Sequence, residues 1–232
     1  MNTRRWMVCG LVAALLAAVA PGLARADEAR DAQQLVERSR LTFENFVAEP
    51  DMAGMITLLK RAKGVLIYPS VLRGAFIFGA SGGSGALLVR DERSETWMGP
   101  AFYTIGELSF GLQIGGEASE IILLALTDRG VNAFLNTSAK LGADANLAVG
   151  PIGRGASAST QNLSADIVSY ARSKGLYGGI SLQGAIVGVR DSLNQAYYGK
   201  ELSPADILLR RLATNPQATP LIDAVKAATK RP

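Results

Sequence analysis

The chain has no histidine among its 232 residues, which removes the commonest general base and the commonest metal ligand together. It has one cysteine, Cys9, near the N-terminus, so neither a disulfide framework nor a thiol nucleophile is available to the rest of the chain. Charged residues make up 19% and aromatic residues 6% of the sequence, with no aromatic girdles flanking its strands. That pattern, with several helical segments and continuous apolar strands, argues against an outer-membrane barrel. The glycine clusters fit neither a phosphate-binding loop nor a dinucleotide fingerprint, and the acids show no calcium-loop spacing.

What is present is apolar: 48% of residues are hydrophobic, and 25 are glycine without a G-X-Y period. This is a globular composition. Residues 1–26 read as an export leader. Arg4 and Arg5 supply the positive start, 8–20 the apolar run, and Ala24-Arg25-Ala26 an A-x-A cleavage site. Thr3-Arg4-Arg5-Trp6-Met7 resembles a twin-arginine motif, and both that route and the general secretory route stay open. The expected mature chain, 27–232, is one domain, placed in the periplasm or peripherally on a membrane. The leader holds Arg4, Arg5 and Arg25 and no acid, so much of the net charge of +4 leaves with it. The remainder is near neutral, and no nucleic-acid partner is implied.

The centre of the sequence is the stretch 62–116. Residues 65–68 and 76–78 are continuously apolar, as in strands covered on both faces. Residues 107–114 alternate, with Leu108, Phe110, Leu112 and Ile114 against Glu107, Ser109, Gly111 and Gln113. Glycine punctuation suits strands that bend or bulge, and Gly82-Gly83-Ser84-Gly85 reads as a hairpin turn. Residues 91–100 read as a polar loop carrying Trp97, and 121–126 as a buried strand. A helix is predicted over 27–48, with Ala32, Leu35, Val36, Ser39, Phe43, Phe46 and Val47 on its inner face. Asp51 is read as the cap of a short helix reaching Lys60, and Asp128 as the cap of one reaching Lys140. Further strands are expected within 145–173 and 175–189, and a helical turn over 190–197. Ser203-Pro204 opens another helix, and 221–230 is a last amphipathic one. The fold class is α+β: a curved, mainly antiparallel sheet or partial barrel wrapped by N- and C-terminal helices.

No catalytic residues are assigned. Ser81-Gly82-Gly83-Ser84-Gly85 has the look of a nucleophile elbow, but that chemistry needs a base within reach. Neither a histidine nor an S-x-x-K pair supplies one, and no metal or cofactor is implied. Charge blocks say more. Residues 52–89 hold Lys60, Arg61, Lys63 and Arg73 and no acid, while 92–128 hold six acids against Arg93. Residues 210–232 carry five bases against Asp223. A basic edge beside apolar strands suits anionic lipid headgroups, whereas ordinary solvated surface needs no ligand at all.

The run Ala62-Lys63-Gly64-Val65-Leu66-Ile67-Tyr68-Pro69, followed by Gly79, Gly82 and Gly85-Ala86-Leu87-Leu88-Val89, resembles the opening of the SYLF domain. Leu108-Ser109-Phe110-Gly111-Leu112-Gln113-Ile114-Gly115, Leu141-Gly142-Ala143-Asp144 and Ser173-Lys174-Gly175-Leu176 continue the resemblance in order, over about residues 35–200. The resemblance implies a non-enzymatic lipid-binding module. Eukaryotic members bind phosphoinositides and in some cases actin, and bacterial members are typically exported and associated with phospholipid. Some eukaryotic members use a basic N-terminal amphipathic helix. Here that helix is net acidic, so the lipid-binding candidates are Lys60, Arg61, Lys63, Arg73 and Lys174. The expected partner is anionic phospholipid or a membrane surface. The alternative is a structural or protein-interaction module of the envelope without lipid preference.

Overall fold

The computed structural model describes residues 27–75, 79–109, 117–153, 164–173, 176–178 and 181–231. The apolar run 65–68 lies in β1 (Gly64–Ala75), which is central to a sheet of nine strands among the described residues. β1 pairs antiparallel with β2 (Gly79–Asp91) on one side and β4 (Glu117–Ala125) on the other. Beyond β2 come β3 (Thr96–Ser109), β9 (Ile186–Val189) and β5 (Ser138–Lys140). Beyond β4 come β7 (Ile167–Ser173) and β6 (Leu147–Val149), with β8 (Leu176–Gly178) also paired to β7. Only the β6–β7 pairing is parallel among the described strands. The sheet curls into a half-barrel flanked by helices, as the glycine-punctuated strand pattern predicts.

Alternation sends successive β1 side chains into two different cores, which is why the run is apolar throughout. Val65 and Ile67 pack with helix α1 (27–48), helix α2 (Ala53–Leu59) and the C-terminal helix α6 (Thr219–Thr229). Leu66 and Tyr68 pack on the opposite face with helices α3 (Asp128–Leu135) and α5 (Pro204–Leu208). Helix α4 (Asp191–Tyr198) packs against β3 and puts Leu193 and Tyr197 in the first core. Each fully buried aliphatic side chain stabilises the fold by about 1.5–3 kcal/mol relative to exposure. The sheet is therefore the shared wall of both cores.

The inner face predicted for α1 is the buried one: Ala32, Leu35, Val36, Ser39, Phe43, Phe46 and Val47 all lie inside. Its outer face is held by Arg40, whose guanidinium meets Glu37 at 2.6 Å and Glu44 at 2.7 Å. Two polar contacts fix α1 to the sheet: Thr42 Oγ1 donates to Glu120 at 3.2 Å, and the Tyr177 hydroxyl to the Asn45 carbonyl at 3.3 Å. At α5 the structure reproduces the predicted cap, with Ser203 and Asp206 forming a reciprocal capping box across Pro204.

Four local expectations are corrected. Gly82-Gly83-Ser84-Gly85 is not a hairpin turn but the middle of β2, paired with β1 and β3. β1 bulges between Ile67 and Ser70, and a Cβ at Gly83 would stand 2.3 Å from the Ser70 carbonyl oxygen, so glycine provides room there. Trp97 is not in a loop; it sits in β3 and is buried, because the turn after β2 occupies only 92–95. The short helix before β1 has no side-chain cap of its own; it continues from a 3-10 turn, Pro50–Met52, that is capped by Glu49, so Asp51 lies inside the turn instead of capping the helix. Helix α3 is capped by Thr127, whose hydroxyl accepts from Gly130 N–H, which puts Asp128 inside the first turn, and the helix ends at Leu135. The apolar run 76–78 and the alternating residues 110–114 lie outside the described residues, as do Lys174 and the cleavage pair Ala24 and Ala26.

Candidate functional site

The end of α2 delivers the first three candidate cations to one end of the sheet. Lys60 is the C-terminal cap of α2, Arg61 follows it exposed, and the chain enters β1 through Lys63. The backbone of Lys63 is locked on both sides, its N–H donating to the Ala125 carbonyl at 2.8 Å and its carbonyl accepting from Arg90 N–H at 2.7 Å. Its ammonium is therefore aimed between β2 and α3, where it meets Glu92 at 2.6 Å and Asp128 at 2.8 Å. The Asp128 and Glu92 carboxylates hold it above the ordinary lysine range. Lys63 is charged, but its charge is locally compensated. Among the described residues neither Lys60 nor Arg61 has a carboxylate partner.

Arg73 is at the other end of the same strand. Its Cα faces Ser81 of β2 and Glu117 of β4. A strand rises about 3.3 Å per residue, so some ten residues set it about 30 Å from Lys63. The five sequence candidates thus do not form one site: Lys60, Arg61 and Lys63 share one end, Arg73 lies at the opposite one, and Lys174 is outside the described residues.

The Lys63 end holds residues that the sequence reading passed over. Arg90 Nη1 donates to the Lys60 carbonyl at 2.9 Å, and its guanidinium lies 3.1 Å from Glu95. Asp91 accepts from Arg93 N–H and the Ser94 hydroxyl, each at 2.9 Å, and pairs with Arg211. Those donors, the Arg93 amide foremost, hold the Asp91 carboxyl down at about 2. The β2–β3 turn, α3 and the chain after α5 enclose a cleft of about 540 Å³. Its lining sets Lys63, Arg93 and Arg211 among the acids Asp91, Glu92 and Asp128, with Val131, Leu135 and Leu208 as apolar members. Nothing in local spacing announces the Asp91–Arg211 contact, since 120 positions separate the pair.

Ser84, the one serine with a nucleophile-like context, accepts a hydrogen bond from Arg190 Nη1 at 2.7 Å. A guanidinium has no lone pair to take a proton, so this neighbour orients the hydroxyl without activating it. Among the described residues no group of acidic side chains is arranged to hold a metal ion. No described helix is long and apolar enough to cross a membrane.

Known proteins share this chain's pattern. The family model described as "Ysc84: Las17-binding protein actin regulator" matches residues 106–228, from β3 through most of α6. The SH3 domain-containing YSC84-like protein 1 of Bos taurus is 30% identical over 213 residues, covering 91% of this chain and 61% of that protein. Protein YSC84 of Saccharomyces cerevisiae is 32% identical over 170 residues, covering 71% of this chain and 36% of the yeast protein. The LAS seventeen-binding protein 3 of the same species is 29% identical over 174 residues, covering 73% of this chain and 38% of its own length. The chain therefore spans about three fifths of the mammalian relative and under two fifths of the yeast ones. With more than half of its residues under the family model, and with the SYLF motifs in order along the sequence, the chain belongs to the Ysc84 family of SYLF-domain proteins.

Proposed function

We propose that this chain is a non-enzymatic phospholipid-binding protein of a bacterial envelope, exported to the periplasm and docking on anionic lipid through the α2–β1 corner. The observation that carries the reading is the pair Lys60 and Arg61: two adjacent cations, at the rim of the sheet, without a carboxylate partner among the described residues. Cations so placed are available to phosphate, whereas Lys63 is already engaged by Glu92 and Asp128. The guanidinium partner of Ser84 supports a binding rather than a hydrolytic role. Export rests on the leader and predicts a mature chain beginning at Asp27, which intact mass of a periplasmic fraction tests.

A second reading has its own support. A yeast relative is named LAS seventeen-binding protein 3, so a protein-interaction module of the envelope is the competing role. Co-sedimentation separates the two. Parent protein should pellet with vesicles containing phosphatidylglycerol and stay soluble with pure phosphatidylcholine, and Lys60→Glu/Arg61→Glu should lose most of that binding at moderate salt. Failure of the parent to bind any vesicle removes the lipid reading and leaves the interaction module.

A further inference from the structure

We infer that the loop 209–212, together with the cleft beside it, is the element of this domain that enters an anionic phospholipid surface; this rests on the lipid-binding reading and names the contact that gives it an apolar component. The loop reads Leu209-Arg210-Arg211-Leu212, with the two leucines 51% and 53% exposed. Single exposed leucines are ordinary, but this pair is presented by a loop that is firmly held. Leu209 and Arg210 both donate their N–H to the Ala205 carbonyl, at 3.0 and 2.9 Å, and Leu212 N–H donates to Asp206 at 2.9 Å. Lys200 Nζ donates to the Leu212 carbonyl at 2.7 Å, and Arg211 pairs with Asp91 across the cleft. Arg211 takes a left-handed backbone, φ 56°, which a side chain other than glycine adopts reluctantly. Backbone hydrogen bonds, an ion pair and a strained residue thus hold two leucines out into water.

Leu209 also lines the cleft, together with Leu208, Leu135 and Val131, so one leucine of the exposed pair joins the apolar lining inside. Cations border it. Arg93 has no carboxylate partner among the described residues, Arg210 is well exposed although paired with Asp206, and Arg90 ties this wall to the Lys60 carbonyl. Leucines that enter a bilayer between arginines whose stems lie along apolar surface, heads at the phosphate level, match an anionic leaflet. The opposite end of the sheet also exposes leucines, Leu72 at 62% and Leu176 at 77%. There the two leucines belong to separate strands, β1 and β8, rather than to one held loop, and the Arg172 guanidinium is engaged by Glu120 at 2.5 Å.

The test uses the full chain and vesicles of phosphatidylglycerol with phosphatidylcholine. Leu209→Ser/Leu212→Ser should lower partitioning roughly tenfold, as expected when two half-exposed leucines no longer leave water. Its residual binding should be more salt-sensitive than the parent's, because the electrostatic part remains. Leu72→Ser/Leu176→Ser should bind as the parent does. An environment-sensitive fluorophore on Leu212→Cys in a Cys9→Ser background should shift to the blue with anionic vesicles and not with phosphatidylcholine alone. This readout decides even if the double serine variant folds poorly. A parent that binds while the serine variant equals it, or a label that stays in water, overturns the inference and leaves the lipid reading standing. A parent that binds no vesicle overturns both. A label that shifts only on adding a protein, without lipid, overturns the inference in favour of a protein partner.

Discussion

Gly85 of β2 lies directly against Tyr68 of β1, and a Cβ built on Gly85 would stand 2.6 Å from Tyr68 Cδ1 and 2.7 Å from the Ile67 carbonyl oxygen. Neither neighbour yields easily: Tyr68 is fully buried, and the carbonyl belongs to the bulged segment. Gly85→Ala is therefore expected to lose about 1–3 kcal/mol of stability, the usual range for overpacking. Gly82, three residues earlier, is the control, because its Cβ would meet only the Ile105 carbonyl oxygen at 3.7 Å. Gly82→Ala should be neutral or gain up to about 1 kcal/mol by restricting the unfolded chain. Urea denaturation of both variants checks the contrast, and equal losses would refute it.

That contrast also marks how far the sequence is legible. Continuous apolar runs foretold strands buried on both faces, because alternation leaves no other reading for Val65, Leu66, Ile67 and Tyr68 once they are in a strand. The α1 stripe and the Ser203 cap were legible because both are local, spaced by a helical turn or less. Gly82-Gly83-Ser84-Gly85 misled because a glycine required by a turn and one required by a close-packed bulge look alike. The difference is set by Tyr68 and Ser70 on the neighbouring strand. The candidate site was half legible. The cations near Lys60 stand out as a block without acids, but Glu92 and Asp128 reach Lys63 through tertiary folding. The Asp91–Arg211 pair and the exposed leucines beside it need the whole chain to be placed.

The same carboxylates set an acid limb. Asp91 and Asp206 are both held at about 2, Asp91 by the Arg93 amide, Ser94 and Arg211, and Asp206 by the Ser203 hydroxyl first and Arg210 next. An unfolded aspartate titrates near ~3.9, so both groups have lowered values in the folded state. Their stabilisation is present above that value and is lost as pH falls through the folded one, between about pH 4 and pH 2. Thermal unfolding should decline over that interval, and Asp206→Asn should flatten part of the decline. An Asp206→Asn melt that tracks the parent throughout would show that the capping box contributes nothing to acid sensitivity.

Glu120 bears on how α1 is held. Its carboxylate lies 2.5 Å from Arg172 Nε, with side chains 19% and 29% exposed, and it also receives the Thr42 hydroxyl of α1. Arg172→Leu leaves a largely buried carboxylate without its cation, at an expected cost of about 1–3 kcal/mol. Replacing both groups, Glu120→Leu/Arg172→Leu, should cost less than the single change, since no charge is then stranded. Limited proteolysis within 27–48 reads out whether the loss loosens α1, and a double variant weaker than the single one would contradict the account.

Lys63 and its neighbours in sequence should separate stability from binding. Lys60→Gln/Arg61→Gln removes two cations without carboxylate partners, so it should leave the melting temperature unchanged. At about 1 kcal/mol for each basic residue near an anionic surface, the pair should weaken vesicle binding roughly thirtyfold. Lys63→Gln removes a compensated charge, so it should weaken binding much less while costing up to about 1 kcal/mol of stability at its two exposed ion pairs. The pH dependence gives an independent check on the same lysine. Asp128 and Glu92 raise its value in the folded state. The associated stabilisation is therefore complete below the unfolded lysine value of ~10.4 and disappears as pH rises through the higher folded one. Parent and Lys63→Gln should thus differ most near neutral pH and converge in strong alkali. If Lys63→Gln instead abolishes vesicle binding while leaving the melt untouched, Lys63 is a lipid contact and its pairing with Glu92 and Asp128 does not withhold it.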